Sequence, residues 1–294
     1  MRSLSKILLP VDFSERSLSA ARYVKLLAGA AGAEAILLHV AVPLPFQLGP
    51  MEGASMPVPE LYRNQMNLFQ KDLESLRDSE FAGRRARTVL LEGDPAARIV
   101  EFAHREEAGL IVMPTHGYGP LRRFILGSNT AKVLHDADCP VWTGVHLGEA
   151  RPNAVELSHI LCAIDLGPQS VPALTWADGL RKLFGARLSV MHATAAVPPS
   201  EHEEAQRANL RWAAEKELQR VIAACQGAIT TGGMPAPNLL IESGEPAHAI
   251  CEAAVRLKAD VIVIGRGSAA GVFGRLRTNA YAIIRQSACP VVSV

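Results

Sequence analysis

No stretch of this chain is apolar for the roughly 20 residues that a membrane-spanning helix requires. No block of basic residues is present either, and 30 lysines and arginines against 29 acidic residues leave a formal net charge of +1. Nucleic acid and anionic membrane surfaces are therefore not expected as its main partners. Cysteine is scarce. The five residues, Cys139, Cys162, Cys225, Cys251 and Cys289, are odd in number, form no CxxC pair and mostly stand in apolar segments. They are expected as reduced, buried thiols of a cytoplasmic protein. The opening segment MRSLSKILLPVD runs straight into a charged aspartate, so it reads as a strand and not as a signal peptide. Catalytic signatures are missing as well: there is no GxxxxGK(S/T) and no GxSxG. His202 stands among Glu201, Glu203 and Glu204, but Gln206 denies it the HExxH zinc pattern. With no nucleophile–base pair and no paired carboxylates in view, a dedicated catalyst is not expected.

What the chain does have is a repeat. Residues 7–40, ILLPVDFSERSLSAARYVKLLAGAAGAEAILLHV, return as residues 160–193, ILCAIDLGPQSVPALTWADGLRKLFGARLSVMHA. Asp12 maps onto Asp165 and His39 onto His192, both at a spacing of 153. Gly93-Asp94-Pro95 returns as Gly244-Glu245-Pro246, and Cys139-Pro140-Val141 as Cys289-Pro290-Val291. A period this long is a duplicated domain, since solenoid units repeat at about 20–50 residues. The 294 residues fit two domains of roughly 150 each. A hydrophobic content of 49% with 20% charged residues makes both globular. The domains are expected at 1–147 and 156–294, with the polar, turn-rich segment 146–158 between them.

In the first copy Lys6–Val11 is a short continuous apolar run, the pattern of a strand buried on both faces. Phe13-Ser14 supplies a turn and an N-cap. A helix follows over Ser17–Ala30, with Leu18, Ala21, Val24, Leu27 and Ala28 at helical spacing, and Gly32 ends it. Glu34–Val40 is a second strand. Residues 41–59 carry too many prolines for a helix. Glu60–Ser79 is an amphipathic helix with Leu61, Leu68, Leu73 and Leu76 on one face. Strands at Arg87–Leu91, Leu110–Met113 and Pro140–Val145 then alternate with helices at Pro95–Glu107 and around Thr130–His135. The second copy repeats the order, with a long charged helix at about Glu201–Cys225. Alternation of this kind, with right-handed crossovers, predicts for each copy a Rossmann-like open parallel α/β sheet of five strands with helices on both faces.

In such sheets ligands bind beyond the carboxyl ends of the strands. Pro10-Val11-Asp12 closes the first strand there and His39-Val40 the second. The fourth opens into Met113-Pro114-Thr115-His116-Gly117, then nine residues, then Gly127-Ser128-Asn129-Thr130. Small residues allow close backbone approach. Free N–H groups, hydroxyls and the positive end of a helix dipole converge at Ser128, Asn129 and Thr130, which makes an anion site. Asp12 cannot favour a phosphate, so it suits hydrogen bonds from a base or sugar, or a cap on the first helix; the two roles can coexist. Arg122 and Arg123 lie in the nine-residue loop, within reach of phosphate oxygens. His39 and His192, at strand ends, suit a structural role better than a catalytic one. Gly265-x-Gly267-x-x-Ala270 fits a loose dinucleotide fingerprint, but it follows the fourth strand of its copy and lacks the acidic residue about 20 positions on, so NAD is not expected.

On these residues the chain resembles the universal stress protein family in its tandem two-domain form, almost end to end over both copies. ATP-binding members of that family carry Gly-x2-Gly-x9-Gly-(Ser/Thr) after the fourth strand and an aspartate after the first. Here Pro114-x2-Gly117-x9-Gly127-Ser128 keeps the spacing and departs only at Pro114. The resemblance implies that Asp12 and the backbone of Val40 hold an adenosine, and that Gly117, Gly127, Ser128 and Asn129 hold phosphates. Pro10, Val11, Met113, Pro114, His116 and Thr130 complete the candidate set, and His116 either contributes or only shapes the turn. ATP, with Mg²⁺, is the implied cofactor. The second copy reads Gly265-Arg266-Gly267-Ser268, nine residues, then Thr278-Asn279, and is expected to be a degenerate site. The resemblance also implies that the copies pack about a pseudo-two-fold axis with their fifth strands paired, and it leaves open a homodimer of such chains. The alternative function is a nucleotide-free scaffolding protein, and an adenylyl-transfer or hydrolytic enzyme is the weakest reading.

Overall fold

A computed structural model of the chain describes residues 4–43, 58–115, 126–144, 156–198, 202–225, 235–266 and 278–294. The first copy supplies β1 (Lys6–Pro10), α1 (Glu15–Ala31), β2 (Glu34–Ala41), α2 (Val58–Glu80), β3 (Ala86–Glu92), α3 (Pro95–Arg105), β4 (Leu110–Val112), α4 (Ser128–Asp136) and β5 (Val141–Thr143). The second supplies β6 (His159–Ala163), α5 (Ser170–Phe184), β7 (Arg187–Thr194), α6 (Glu203–Ala224), β8 (Asn238–Ser243), α7 (Pro246–Leu257), β9 (Val261–Ile264), α8 (Thr278–Gln286) and β10 (Val291–Ser293).

Each copy forms a half-sheet of five parallel strands, and the two halves are one sheet. The strand order is β3-β2-β1-β4-β5-β10-β9-β6-β7-β8. All pairings within a half are parallel, whereas β5 and β10 meet antiparallel, with Val292 opposite Trp142. The order reads the same from either edge, which is the pseudo-two-fold relation between the copies. The expected five-stranded sheets are thus joined through their fifth strands.

Strand residues alternate between two apolar layers, as a period of two requires. Ile7 and Leu9 face one layer with Val24 and Leu27 of α1, Leu73 of α2, Leu174 and Leu180 of α5, and Leu218 of α6. Leu8 faces the other with Phe102 of α3, Val133 of α4, Ile250 of α7 and Ile284 of α8. Strands covered on both sides explain the unbroken apolar runs. Trp142, at the centre of the β5–β10 seam, is fully buried, and its ring lies 5.8 Å from that of Tyr23.

Two helices turn out differently from their periodicity. Leu61 and Leu68 of α2 are 37% and 59% exposed. On a helix turning about 100° per residue they stand well to one side of the direction of Leu73, and Phe81 and Leu73 carry the buried contact instead. Leu18 of α1 is likewise exposed, and Ser17, Ala20, Ala21 and Val24 take the inner face. Helix α2 also begins earlier than expected, at Val58, with Pro59 in its first turn, where a missing N–H disrupts nothing. Residues 44–57 of the Pro-rich segment lie outside the described residues.

Truncating Trp142 removes the largest side chain of the seam and leaves a cavity. Trp142→Ala is expected to cost about 3–5 kcal/mol, read as a lowered urea midpoint by circular dichroism. An unchanged midpoint would show that the seam is not part of the cooperative core.

Candidate functional site

The strand order reverses beside β1: the chain goes outward through β2 and β3, then returns to place β4 on the other side. At such a switch point the two flanking loops part, and a crevice opens beyond the carboxyl ends of β1 and β4. A cavity of about 550 Å³ occupies it. It is lined from β1 by Pro10, Val11 and Asp12, from β2 by Leu38, His39 and Val40, and from the end of β4 by Met113 and Pro114. Leu126, Gly127, Ser128, Asn129 and Thr130 complete it from the start of α4, with Ser17 of α1 and Pro95 and Ile99 of α3. Ten of the twelve sequence-predicted site residues therefore stand around one space. The other two, His116 and Gly117, lie outside the described residues, as do Arg122 and Arg123. The contributions of Pro95 and Ile99 were not foreseen, although Gly93-Asp94-Pro95 stood out in the repeat.

The turn after β1 is built around strain. Phe13 adopts φ +60°, and Leu166 holds the same value at the matching place in the second copy. Left-handed backbone at a bulky residue costs about 1–2 kcal/mol, so both turns are held by their surroundings. Asp12 does part of this: its Oδ1 accepts from the Ser14 backbone N–H at 3.0 Å and from the Ser14 hydroxyl at 2.6 Å. Ser14, not Asp12, caps α1, accepting from the Ser17 N–H at 3.3 Å. Asp12 thus supports the cap at one remove while lining the cavity.

Phe13 also packs on His39, at 4.8 Å between ring centroids, and His39 lies 4.4 Å from Phe69 of α2. The His39 Nδ1 is 2.7 Å from the carbonyl of Val11. A carbonyl only accepts, so Nδ1 carries the proton and ties β2 to the end of β1. Burial pushes the His39 pKa below its ordinary 6.5, opposed in part by the Val11 hydrogen bond and by Asp12 and Asp72. His192 makes the matching bond to Ile164 at 2.9 Å. Both contacts are structural, as their strand-end positions led one to expect.

The far wall is the N-terminus of α4. Its N-cap is Gly127, which has no side chain to accept from the first turn. Helices α1, α3 and α7 by contrast are closed by Ser14, Asp94 and Glu245. The Gly127 N–H is itself engaged, donating to the Thr115 carbonyl at 2.8 Å. Ser128 and Asn129 are exposed, whereas Thr130 is buried and donates its hydroxyl to the Pro114 carbonyl at 3.0 Å. The first turn therefore offers backbone N–H groups and the Ser128 hydroxyl. Thr130 fastens α4 to the end of β4, and at Pro114 the carbonyl is the group in use.

The second copy has a much smaller space, about 130 Å³, lined by Asp165, Gln169, His192, Gly265 and Asn279 among others. The cause is local. A Cβ on Gly265 would lie 2.8 Å from the Cβ of Gln169 and 3.3 Å from its carbonyl oxygen. The turn after β6 has settled onto the end of β9, where the first copy holds the crevice open above Pro114. Asp165 is turned to the same local task as Asp12, its Oδ1 accepting from the Gly167 N–H at 2.9 Å. Among the described residues no group of three or more His, Cys, Asp and Glu could hold a metal ion, and no helix is long and apolar enough to cross a membrane.

The profile of the universal stress protein family matches residues 4–143 and again residues 156–294. The chain belongs to the universal stress protein family. A universal stress protein of Mycolicibacterium smegmatis is 25% identical over 98% of this chain and 96% of its own length. One from Methanocaldococcus jannaschii is 38% identical over 136 residues, covering 46% of this chain and 79% of its own. The crystal structure of a universal stress protein from Archaeoglobus fulgidus superposes with a TM-score of 0.70 at 24% identity, covering 99% of this chain and 98% of that one. The tandem arrangement of universal stress protein domains is thereby established.

Burial of a neutral His39 has a consequence for pH. Its stabilising contribution is present above pH 6.5 and is lost as pH falls from there through the lowered midpoint. An NMR titration, with the resonance assigned by its loss in His39→Asn, is expected to place the midpoint below 6.5. A midpoint at or above that value would contradict the burial.

Proposed function

We propose that this universal stress protein is a cytoplasmic stress-response protein that binds ATP or another adenine nucleotide in its first domain, residues 1–147. The second domain, residues 156–294, is a degenerate site. The observation that carries this reading is the start of α4: a helix N-terminus with no side-chain cap, facing a cavity of about 550 Å³ at the switch point of the sheet. Backbone N–H groups and the helix dipole there favour an anion. The volume is in the usual range for small-molecule sites, about 300–1,000 Å³, whereas the 130 Å³ of the second copy is not.

The roles divide along the cavity. Ser128, Asn129 and the N–H groups of the first turn of α4 take phosphate oxygens, with Gly127 leaving room for them. Asp12, at the opposite wall, repels phosphate and accepts hydrogen bonds from the sugar or base beside Val40. Mg²⁺, when bound with ATP, would neutralise phosphate charge. Among the described residues no side chain in the cavity is set as a general base next to a nucleophile, and we read the site as one for binding, with hydrolysis slow at most. The nucleotide then acts by favouring one arrangement of the mouth it occupies, which partners read.

Denaturing freshly purified protein and weighing any released nucleotide tests this directly. About one adenine nucleotide per chain is expected, two would restore the second site, and none, with no binding of ATP and Mg²⁺ in titration, would favour the scaffolding alternative. A substitution sharpens the test. Gly127→Asp gives α4 the cap it lacks and places a carboxylate where the anion belongs. Stability should hold or rise by a few tenths of a kcal/mol, while ATP affinity falls at least about tenfold. Unchanged affinity would misplace the site.

A further inference from the structure

The residue after Gly265 differs from its counterpart in charge and size. The first copy leaves β4 through Met113-Pro114-Thr115, and the second leaves β9 at Ile264 through Gly265-Arg266. Arg266 is buried, only 6% exposed, and its guanidinium reaches across into the first copy. Its Nη1 donates to the carbonyls of Leu134 at 3.3 Å and Ala137 at 2.8 Å, and its Nη2 to that of Cys139 at 2.6 Å. Leu134 is in the last turn of α4, Ala137 is its C-cap, and Cys139 lies two residues beyond. The antiparallel seam makes the contact unavoidable in direction: the two halves run oppositely, so the carboxyl end of β9 lies at the edge of the sheet where α4 ends. The Arg266 backbone N–H, donating to the Val294 carbonyl at 2.7 Å, anchors it beside β10.

The matching segment after α8 is fastened by other means. There Ser287 donates its hydroxyl to the Cys289 carbonyl at 2.6 Å and accepts from the Cys289 N–H at 3.1 Å. The first copy has Ala137 in the place of Ser287 and so has no hydroxyl for Cys139. One helix end carries its own serine; the other receives an arginine from across the seam.

We propose that Arg266 is a positioning residue through which the second domain holds the anion-binding helix of the first. A cation at the C-terminus of α4 reinforces the same dipole whose positive end faces the cavity. Fixing Leu134, Ala137 and Cys139 also fixes where Ser128 and Asn129 stand, since α4 is only nine residues long. The second copy has closed its own cavity and uses the residue after β9 to order its neighbour's site. The effect on affinity rests on the nucleotide reading of the first cavity, but the hold on α4 does not.

The test uses the full chain with three variants, Arg266→Met, Arg266→Lys and the double variant Arg266→Met with Ala137→Ser. Hydrogen exchange is followed in α4, with α8 as the internal reference, and ATP–Mg²⁺ affinity by titration. Arg266→Met should lower Tm by about 3–10 °C, speed exchange in α4 but not in α8, and weaken ATP about three- to tenfold. Arg266→Lys, which keeps the charge, should fall between, and decides the matter by the same exchange comparison if the Met variant does not fold. Adding Ala137→Ser should recover part of the α4 protection and of the affinity, because it supplies Cys139 with the hydroxyl that Ser287 gives Cys289. A lower Tm with α4 exchange and affinity unchanged relative to wild type would overturn the proposal and leave Arg266 as seam packing only. If wild-type protein binds no ATP, the nucleotide reading falls, and faster exchange confined to α4 still upholds the hold, while uniform exchange overturns it.

Discussion

The antiparallel pairing of β5 with β10 is the constraint on which the rest of the molecule depends. It is short, three residues against three, with Trp142 facing Val292. Without it each half-sheet would present an open edge with unpaired N–H and C=O groups. With it, ten strands share one sheet, and the layers on its two sides run through both copies. Because the halves run oppositely, their crevices open at opposite edges of the sheet. The end of the first copy's last helix is thereby delivered to the mouth of the other copy's fourth strand.

Within this frame the copies have kept their scaffolds and diverged at their mouths. The left-handed residue after the first strand is present in both, as Phe13 and Leu166, and so are the histidine that ties β2 or β7 back and the acidic cap after Gly93 or Gly244. These hold the backbone whether or not a ligand is present. The mouths respond to single residues. Gln169 packs close over Gly265, and the second crevice is the smaller. In the first, Thr130 and Thr115 bind the chain between β4 and α4 and leave the helix N-terminus without a side-chain cap.

Helix α4 sits between these two developments. Its N-terminal turn lines the larger cavity and its last carbonyls receive Arg266. A helix of nine residues has little capacity to bend, so a group fixing one end orients the other. An uncapped N-terminus and a guanidinium-capped C-terminus also point the same way electrostatically, both favouring negative charge at the cavity.

The internal repeat, the alternation of apolar runs with helical patterns and the Gly127-Ser128 motif were enough, on sequence alone, to determine two α/β domains of this family. They also determined a mouth formed by Pro10, Val11, Asp12, Val40, Met113, Pro114 and the start of α4. These features are local: burial on both faces writes a continuous apolar run, and a ligand at a strand end calls for small residues beside it. Side-chain direction was less legible. Leu61 and Leu68 were expected inside and stand in solvent, because spacing alone does not say where on a helix the core lies. Nor could spacing show that Thr130 spends its hydroxyl on Pro114, whereas the N-cap of α1 at Ser14 was legible. Arg266 was hidden most completely. It lies 127 residues from Cys139 along the chain, and only the antiparallel seam brings its guanidinium onto that carbonyl.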